Sequence, residues 1–201
     1  MAKFEVCAQK WADYSEEGYG VSLLNDCKYG HGVKEGTMSL TLLRSPHHPD
    51  PAQMLGVVPL KESYPETDQG LHEFTYVLMP HAGSFIDAGT VREAFDLNVP
   101  LRAVKTVSKK GALLPVHSFL SVNNGDIIID TVKKAEDGKG TVLRFYEPHG
   151  SRQSVELDIN FPFKKAYLTD MLERKEKQLK TESGRVKMDV KPFEIVTLKL
   201  E

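Results

Sequence analysis

Cysteine is nearly absent: only Cys7 and Cys27 occur in 201 residues. They do not form a Cys-x-x-Cys pair, so no cysteine-built metal site is implied, and free thiols in a reducing compartment are expected. Long apolar runs are missing as well. Nothing approaches the roughly 20 residues of a membrane span, and the opening MAKFEVCAQ lacks the apolar core of a secretory leader. Basic clusters go no further than short pairs such as Lys109-Lys110. Charges of both signs are interleaved to a formal net charge of -2, which argues against a nucleic-acid or membrane-surface partner and leaves a neutral or weakly charged ligand. A cytoplasmic location is expected. Catalytic signatures are equally scarce, since there is no Gly-x-Ser-x-Gly elbow and no phosphate-cradling glycine loop, which disfavours acyl transfer and nucleotide chemistry. The histidines His31, His72, His81, His117 and His149 stand singly. HHPD at residues 47–50 offers His-x-Asp, but Pro49 intervenes and no second cluster completes the three or four ligands a tetrahedral metal needs. No metal or cofactor is assigned to this chain. Internal repeats and low-complexity tracts are also missing.

What the chain does have is alternation. Residues 3–9 place Phe4, Val6 and Ala8 opposite Glu5, Cys7 and Gln9, the period-two pattern of a half-buried strand. A core strand so close to the start suggests a chain cut from the downstream part of something longer. Residues 11–18 read as a connection and 20–24 as the next strand. Asn25-Asp26 followed by Gly30 and Gly32 reads as turn chemistry. Met38, Leu40 and Leu42 give a strand running into Arg44. Residues 45–70 hold five of the eleven prolines and no sustained period, as a functional or disordered loop would. Strand alternation returns at 72–79. A single short helix is predicted at 90–97, capped by Asp87. Residues 116–122, 126–133, 140–147 and 152–160 are strands separated by Asn-Gly-Asp, Asp-Gly-Lys-Gly and Pro-His-Gly turns. Residues 164–180 suit either a helix or a strand followed by a charged loop, and 185–190 and 193–200 are strands again. The expectation is one all-β domain, an antiparallel β-sandwich with at most one or two short helices.

The stretch most suited to a ligand is 20–51. Arg44, at the end of an apolar strand, either pairs with a carboxylate or directs its fork of donors at a ligand. Trp11, the only tryptophan, either stacks on a sugar ring or packs at a sandwich edge. Paired carboxylates could hydrolyse a glycoside, but sequence spacing cannot bring two of them to about 5 Å.

Several long segments together carry a family resemblance. FEVCAQKWADYSEEGYGVSLLNDCKYG, LTLLRSPHHPDP, DQGLHEFTYVLMPHAG, REAFDLNVPL, SFLSV, DTVKKAEDG and PFEIVTLKL resemble, in that order, the C-terminal β-sandwich region of glycoside hydrolase family 38 α-mannosidases of the cytosolic, vacuolar and bacterial branch. The likeness spans nearly the whole chain. The departure is QMLGVVPLKESYPE at residues 53–66, longer than the family's usual link. The resemblance implies a galactose mutarotase-like sandwich, residues 1–201, belonging to a retaining exo-acting α-mannosidase. The catalytic aspartates and zinc of such an enzyme would sit in an N-terminal barrel domain outside this sequence, so no catalytic residue is assigned here and this chain alone would be inactive. Its partners would be that catalytic domain, an α-mannoside oligosaccharide and, through the face left uncovered, a second copy in a homo-oligomer. Arg44 resembles the family arginine that reaches toward bound sugar. Asn25, Asp26, Asp50, Asp68 and His72 are further substrate-binding candidates from the same loops. A free-standing carbohydrate-binding module is the alternative of a different class.

Overall fold

A computed structural model describes residues 4–46, 56, 66–107 and 110–201. It divides into two compact units, Met1–Ala103 and Val104–Glu201. The first unit holds β1 (Val6–Cys7), β2 (Trp11–Glu16), β3 (Tyr19–Asn25), β4 (Gly30–Lys34), β5 (Thr37–Leu40), β6 (Tyr76–Ala82) and α1 (Thr90–Asn98). Its strands form two antiparallel three-stranded sheets, ordered β1-β4-β5 and β2-β3-β6. The second unit holds β7 (Leu120–Val122), β8 (Ile128–Lys134), β9 (Thr141–Tyr146), β10 (Gln153–Ile159), β11 (Ala166–Thr169), β12 (Lys175–Leu179), β13 (Thr181–Glu182), β14 (Arg185–Val190) and β15 (Ile195–Leu200). These pair antiparallel into a four-stranded sheet, β13-β14-β10-β7, and a five-stranded sheet, β12-β11-β15-β9-β8.

The second unit is a sandwich for reasons visible in its alternation. Along β10, Val155, Leu157 and Ile159 are buried while Ser154, Glu156 and Asp158 point away. On β14, Val186 and Val190 face the same interior. Leu143 and Phe145 of β9 with Val196, Leu198 and Leu200 of β15 supply the opposing layer. Each such side chain contributes roughly 1.5–3 kcal/mol on leaving water. On the outside of the β10–β14 pair, cross-strand charges match in register: Glu156 lies opposite Lys187 at 2.8 Å and Asp158 opposite Arg185 at 2.7 Å. Glu147, buried just after β9, accepts hydrogen bonds from the backbone N–H groups of His149, Gly150 and Phe193 and from the Ser151 hydroxyl. One carboxylate thus fastens the turn before β10 to the approach of β15.

In the first unit, α1 packs on one face of the β2-β3-β6 sheet. Ser22 Oγ on β3 lies 2.8 Å from Thr90 Oγ1 at the start of the helix, and Trp11 stacks on Phe85 with ring centroids 5.1 Å apart. Trp11 is therefore committed to packing.

Several sequence expectations are corrected. Of the strand expected over 3–9, the described residues 4–9 form only the two-residue β1, and Phe4 and Val6 are exposed, because this strand lies at a sheet edge paired to β4 alone. Residues 11–16, read as a connection, form β2, which turns into β3 around Gly18 at φ 87°. Gly30 and Gly32 lie within strand β4, where pairing on both sides overrides their turn propensity. The strand expected to reach Arg44 ends at Leu40, and the strand expected from His72 begins at Tyr76. Asp87 caps the Ser84 turn, accepting from its N–H and hydroxyl, while the helix itself starts at Gly89 with no side-chain cap. Residues 164–180 resolve as the strand pair β11 and β12 around a turn at Asp170, so their alternation outweighs their helix propensity.

Candidate functional site

The loop that leaves β5 and the one that returns toward β6 are tied at their bases. Ser45 Oγ donates to the Thr67 carbonyl at 2.5 Å, and Thr67 donates through its N–H and its hydroxyl to the Pro46 carbonyl, at 2.8 and 3.0 Å. Gln69 Nε2 adds a bond to Ser45 Oγ at 2.8 Å. Closing the loop here places Arg44 beside Asp68 and His72. Asp68 sits in the left-handed region at φ 57°, which turns its carbonyl toward the ring of His72; His72 Nε2 donates to that carbonyl at 2.6 Å. Thr41 is held by the Glu5 carboxylate.

The result is a surface groove of about 430 Å³ lined by Cys27, Tyr29, Thr41, Arg44, Asp68 and His72, with Lys28, Leu42 and Leu43 completing it. That is within the volume range of small-ligand sites. Arg44 is exposed and forms no ion pair among the described residues. The sequence left the guanidinium two roles, and pairing with a described carboxylate is not the one it adopts.

The six residues singled out in the sequence fall into three groups. Arg44, Asp68 and His72 meet in the groove. Asn25 and Asp26 are used internally. Asn25 is fully buried, its Oδ1 accepting from the Lys28 N–H at 2.8 Å and its Nδ2 lying 3.4 Å from His31 Nε2. Asp26 Oδ2 accepts from the Thr75 N–H at 3.0 Å. The Cys27 thiol and the Thr75 N–H together hold the Asp26 carboxyl below its ordinary value, and the same contact raises the Cys27 thiol. Cys7 and Cys27 are both free and exposed. Asp50 lies outside the described residues.

Sequence reasoning passed over Cys27, Tyr29 and Thr41; Tyr29 and Thr41 are brought to one end of the β4–β5 pair, where the Thr41 N–H donates to the Gly30 carbonyl. It also passed over a buried polar cluster on the helix-covered face of β2-β3-β6. Asp13 Oδ1 there accepts from Ser22 Oγ at 2.5 Å and from His81 Nε2 at 2.8 Å, and Oδ2 from Ser15 Oγ at 2.7 Å. Burial alone would raise the Asp13 carboxyl; the bonds from Ser22, His81 and Ser15 outweigh it and hold it low, while Asp13 raises His81. The one available signal was Asp13 lying between apolar Ala12 and Tyr14 on a strand.

Chemically, the groove offers fixed donors, one carboxylate, one imidazole and an aromatic ring. That set suits recognition of a neutral polyhydroxylated ligand. Among the described lining residues Asp68 is the only carboxylate. Among the described residues no three His, Cys, Asp or Glu side chains converge for a metal ion. A groove in the second unit, lined by Lys180, Glu182, Arg185 and Lys187, is built from the cross-strand ladder, with Arg185 and Lys187 already paired.

Comparison with known proteins places these features in a family context. Residues 1–52 match the family model "Glycosyl hydrolases family 38 C-terminal domain", and residues 126–198 match "Glycosyl hydrolases family 38 C-terminal beta sandwich domain". The chain is 41% identical over 204 residues to Alpha-mannosidase 2C1 of Homo sapiens, covering 99% of this chain and 18% of that protein. It is 36% identical to Alpha-mannosidase G of Dictyostelium discoideum, over 99% of this chain and 17% of that one. The crystal structure of an alpha-mannosidase from Enterococcus faecalis superposes with a TM-score of 0.78 at 24% identity, covering all of this chain and 22% of that chain, a likeness of fold. The chain thus spans about a fifth of the length of the curated relatives it matches.

Proposed function

The chain belongs to glycoside hydrolase family 38, as part of its C-terminal region, and from that premise we propose that it serves a retaining exo-acting α-mannosidase. In this reading it supports a catalytic domain carried by the same polypeptide and completes the sugar site from the side. The observation that carries the reading is Arg44, an exposed guanidinium without an ion-pair partner among the described residues, set in one groove with Asp68 and His72 by the tied loop. Such a fork donates to sugar hydroxyls or to a catalytic carboxylate of the adjoining domain. Zinc and the two catalytic aspartates belong to that domain. Two free, exposed cysteines go with a cytoplasmic setting.

The experiment is Arg44→Ala in the full-length enzyme assayed on an aryl α-mannoside. A hydrogen bond from a charged group is worth about 1.5–3 kcal/mol, so kcat/KM falls by roughly one to two orders of magnitude. Unchanged turnover would assign Arg44, and with it this groove, to a purely structural role. The 201-residue chain alone is expected to show no turnover with zinc added, and appreciable zinc-dependent hydrolysis would overturn the division of labour. Tyr29 beside Arg44 favours one second reading, a free-standing carbohydrate-binding module. Titration of the chain with mannose oligosaccharides decides between them, since sub-millimolar binding supports the module and no binding supports a site completed by the catalytic domain.

A further inference from the structure

Arg44 lies on no strand or helix. β5 ends at Leu40, and residues 41–46 run as irregular chain. Leu42 and Leu43 are 37% and 50% exposed, so apolar packing holds this stretch only loosely. Polar bonds at its two ends hold it instead. At the near end the Thr41 N–H donates to the Gly30 carbonyl at 2.9 Å and the Thr41 hydroxyl to the Glu5 carboxylate. At the far end Ser45 uses its hydroxyl twice, donating to the Thr67 carbonyl at 2.5 Å and accepting from Gln69 Nε2 at 2.8 Å. The Pro46 carbonyl also accepts twice, from the Thr67 N–H at 2.8 Å and the Thr67 hydroxyl at 3.0 Å. A proline at 46 disfavours helical backbone at Ser45, one further restraint on the residue that follows Arg44. Only Leu42, Leu43 and Arg44 lie between the two anchors.

The opposing side of this clasp carries strain. Asp68 stands between Thr67 and Gln69 at φ 57°, left-handed backbone that a residue with a Cβ adopts only at a cost. Such a conformation persists where neighbouring contacts over-determine it, and it gathers at ligand clamps. Here those contacts are the bonds of Thr67 and Gln69 to Ser45 and Pro46, together with the bond from His72 Nε2 to the Asp68 carbonyl at 2.6 Å. Arg44 and Asp68, which share the groove, are thus each next in sequence to a clasp residue. We infer that Ser45, Thr67 and Gln69 are positioning residues that hold Arg44 in the groove before a sugar arrives and act on turnover through it. The inference rests on the reading of Arg44 as the group that serves the mannoside site. Its physical basis is preorganisation: a guanidinium on a loosely held chain has to be ordered at the moment of binding, and a misplacement of about 1 Å can lower a rate about a hundredfold. Ser45 is the residue to test, because it adjoins Arg44 and its one hydroxyl meets both Thr67 and Gln69.

The test is a double-mutant cycle in the full-length enzyme on an aryl α-mannoside, with near-ultraviolet circular dichroism confirming that each variant is folded. Ser45→Ala is expected to lower kcat/KM about tenfold in the wild-type background and by less than about twofold beside Arg44→Ala, where no guanidinium is left to place. Equal losses in the two backgrounds assign Ser45 a structural role and overturn the inference. Thr67 supplies a second pair of variants. Thr67→Val removes only the hydroxyl bond to Pro46 and is expected to lower kcat/KM about threefold, and Thr67→Ser, which keeps that hydroxyl, to recover the loss. Equally slow Val and Ser enzymes count against the clasp. Amide exchange gives a readout apart from turnover: the Thr67 N–H, bonded to the Pro46 carbonyl, should exchange faster in Ser45→Ala, whichever residue stands at 44. An unmoved Thr67 amide overturns the inference. If Arg44→Ala itself runs at the wild-type rate, the functional reading fails and the inference falls with it. If Arg44→Ala is slow while Ser45→Ala is not, the functional reading stands and the inference alone is overturned.

Discussion

At Gly20 one missing methyl group makes room for a buried ion pair. A Cβ at that position would stand 2.4 Å from His81 Cε1 and 2.5 Å from Ser15 Cβ, so only glycine lets His81 on β6 reach across β3 to Asp13 on β2. Gly20→Ala displaces His81, and overpacking of this kind costs about 1–3 kcal/mol; urea unfolding of the variant measures it. The pair also sets a pH window. His81 is raised from its ordinary 6.5, so its share of the stability is complete below that value and is lost as pH climbs through the higher folded value. Asp13 is lowered from 3.8, so its share is present above that value and is lost as pH falls through the lower folded one. Between those limits both partners are charged. Asp13→Asn is expected to bring the His81 titration down, followed by the imidazole proton resonance, and to flatten the loss of stability above neutral pH. A titration unmoved by the substitution would show that Asp13 does not hold the imidazolium. Glu147 gives a second residue-scale case. Replacing it by Gln turns one acceptor into a donor facing N–H groups, at a cost of about 2–3 kcal/mol for the buried donors left unmet. Burial pushes the Glu147 carboxyl up, but its four hydrogen bonds hold it below the ordinary 4.5. The gap between wild type and Glu147→Gln is therefore full above that value and narrows as pH falls through the lower folded one, which denaturant midpoints at neutral and acid pH will show.

At the scale of elements, the β11–β12 hairpin hangs on Asp170. Its Oδ1 accepts from the N–H groups of Leu172 and Arg174, both at 2.9 Å, closing a turn whose Glu173 lies at φ 65°. Asp170→Ala removes that side-chain cap at about 1 kcal/mol, and amide exchange across residues 166–179 should quicken while β10 and β14 stay protected. The same turn explains what could be read from the sequence alone. Lysines and leucines made 164–180 equally acceptable as helix, and only pairing to β15 decides for strands. Strands with one buried face, such as β10 and β14, were legible because alternation reports burial directly. β15 was legible as a strand but not in its burial: Thr197 and Lys199 are as buried as Leu198. Lys199 is accommodated by ion pairs to Asp137 at 2.6 Å and Glu201 at 3.3 Å, which no period reveals. β2 was missed because its polar residues Asp13 and Ser15 face a buried network, so the usual meaning of polarity on a strand is reversed. Of the groove, Arg44, Asp68 and His72 were legible as polar residues flanking one loop. Asn25 misled, since a buried side chain that caps its own turn reads in sequence like an exposed loop amide.

For the whole molecule, the division at Ala103 and Val104 has an energetic meaning. Every strand pair of the sandwich, β7 through β15, is closed within the second unit, and so is the apolar cluster built on Phe145, Leu143, Leu157 and Leu198. Glu147, Asp170 and Lys199 likewise find their partners inside it. A stretch of about a hundred residues that buries its own core reaches the size at which domains fold alone. Residues 104–201 are therefore expected to fold without the first unit and to unfold in one cooperative transition with an enthalpy near 60–80 kcal/mol, as for other domains of that length. Arg102 and Lys105 are exposed beside the boundary, so brief trypsin treatment of the chain should release this fragment intact. Calorimetry of the released fragment is the check. A broad, non-cooperative trace, or a fragment degraded as fast as it forms, would mean that the sandwich needs contacts from elsewhere. In the proposed mannosidase setting, Phe145→Ala would then separate the two roles of the region: a loss of about 3–5 kcal/mol from the sandwich with the Arg44 groove, which belongs wholly to the first unit, left in place.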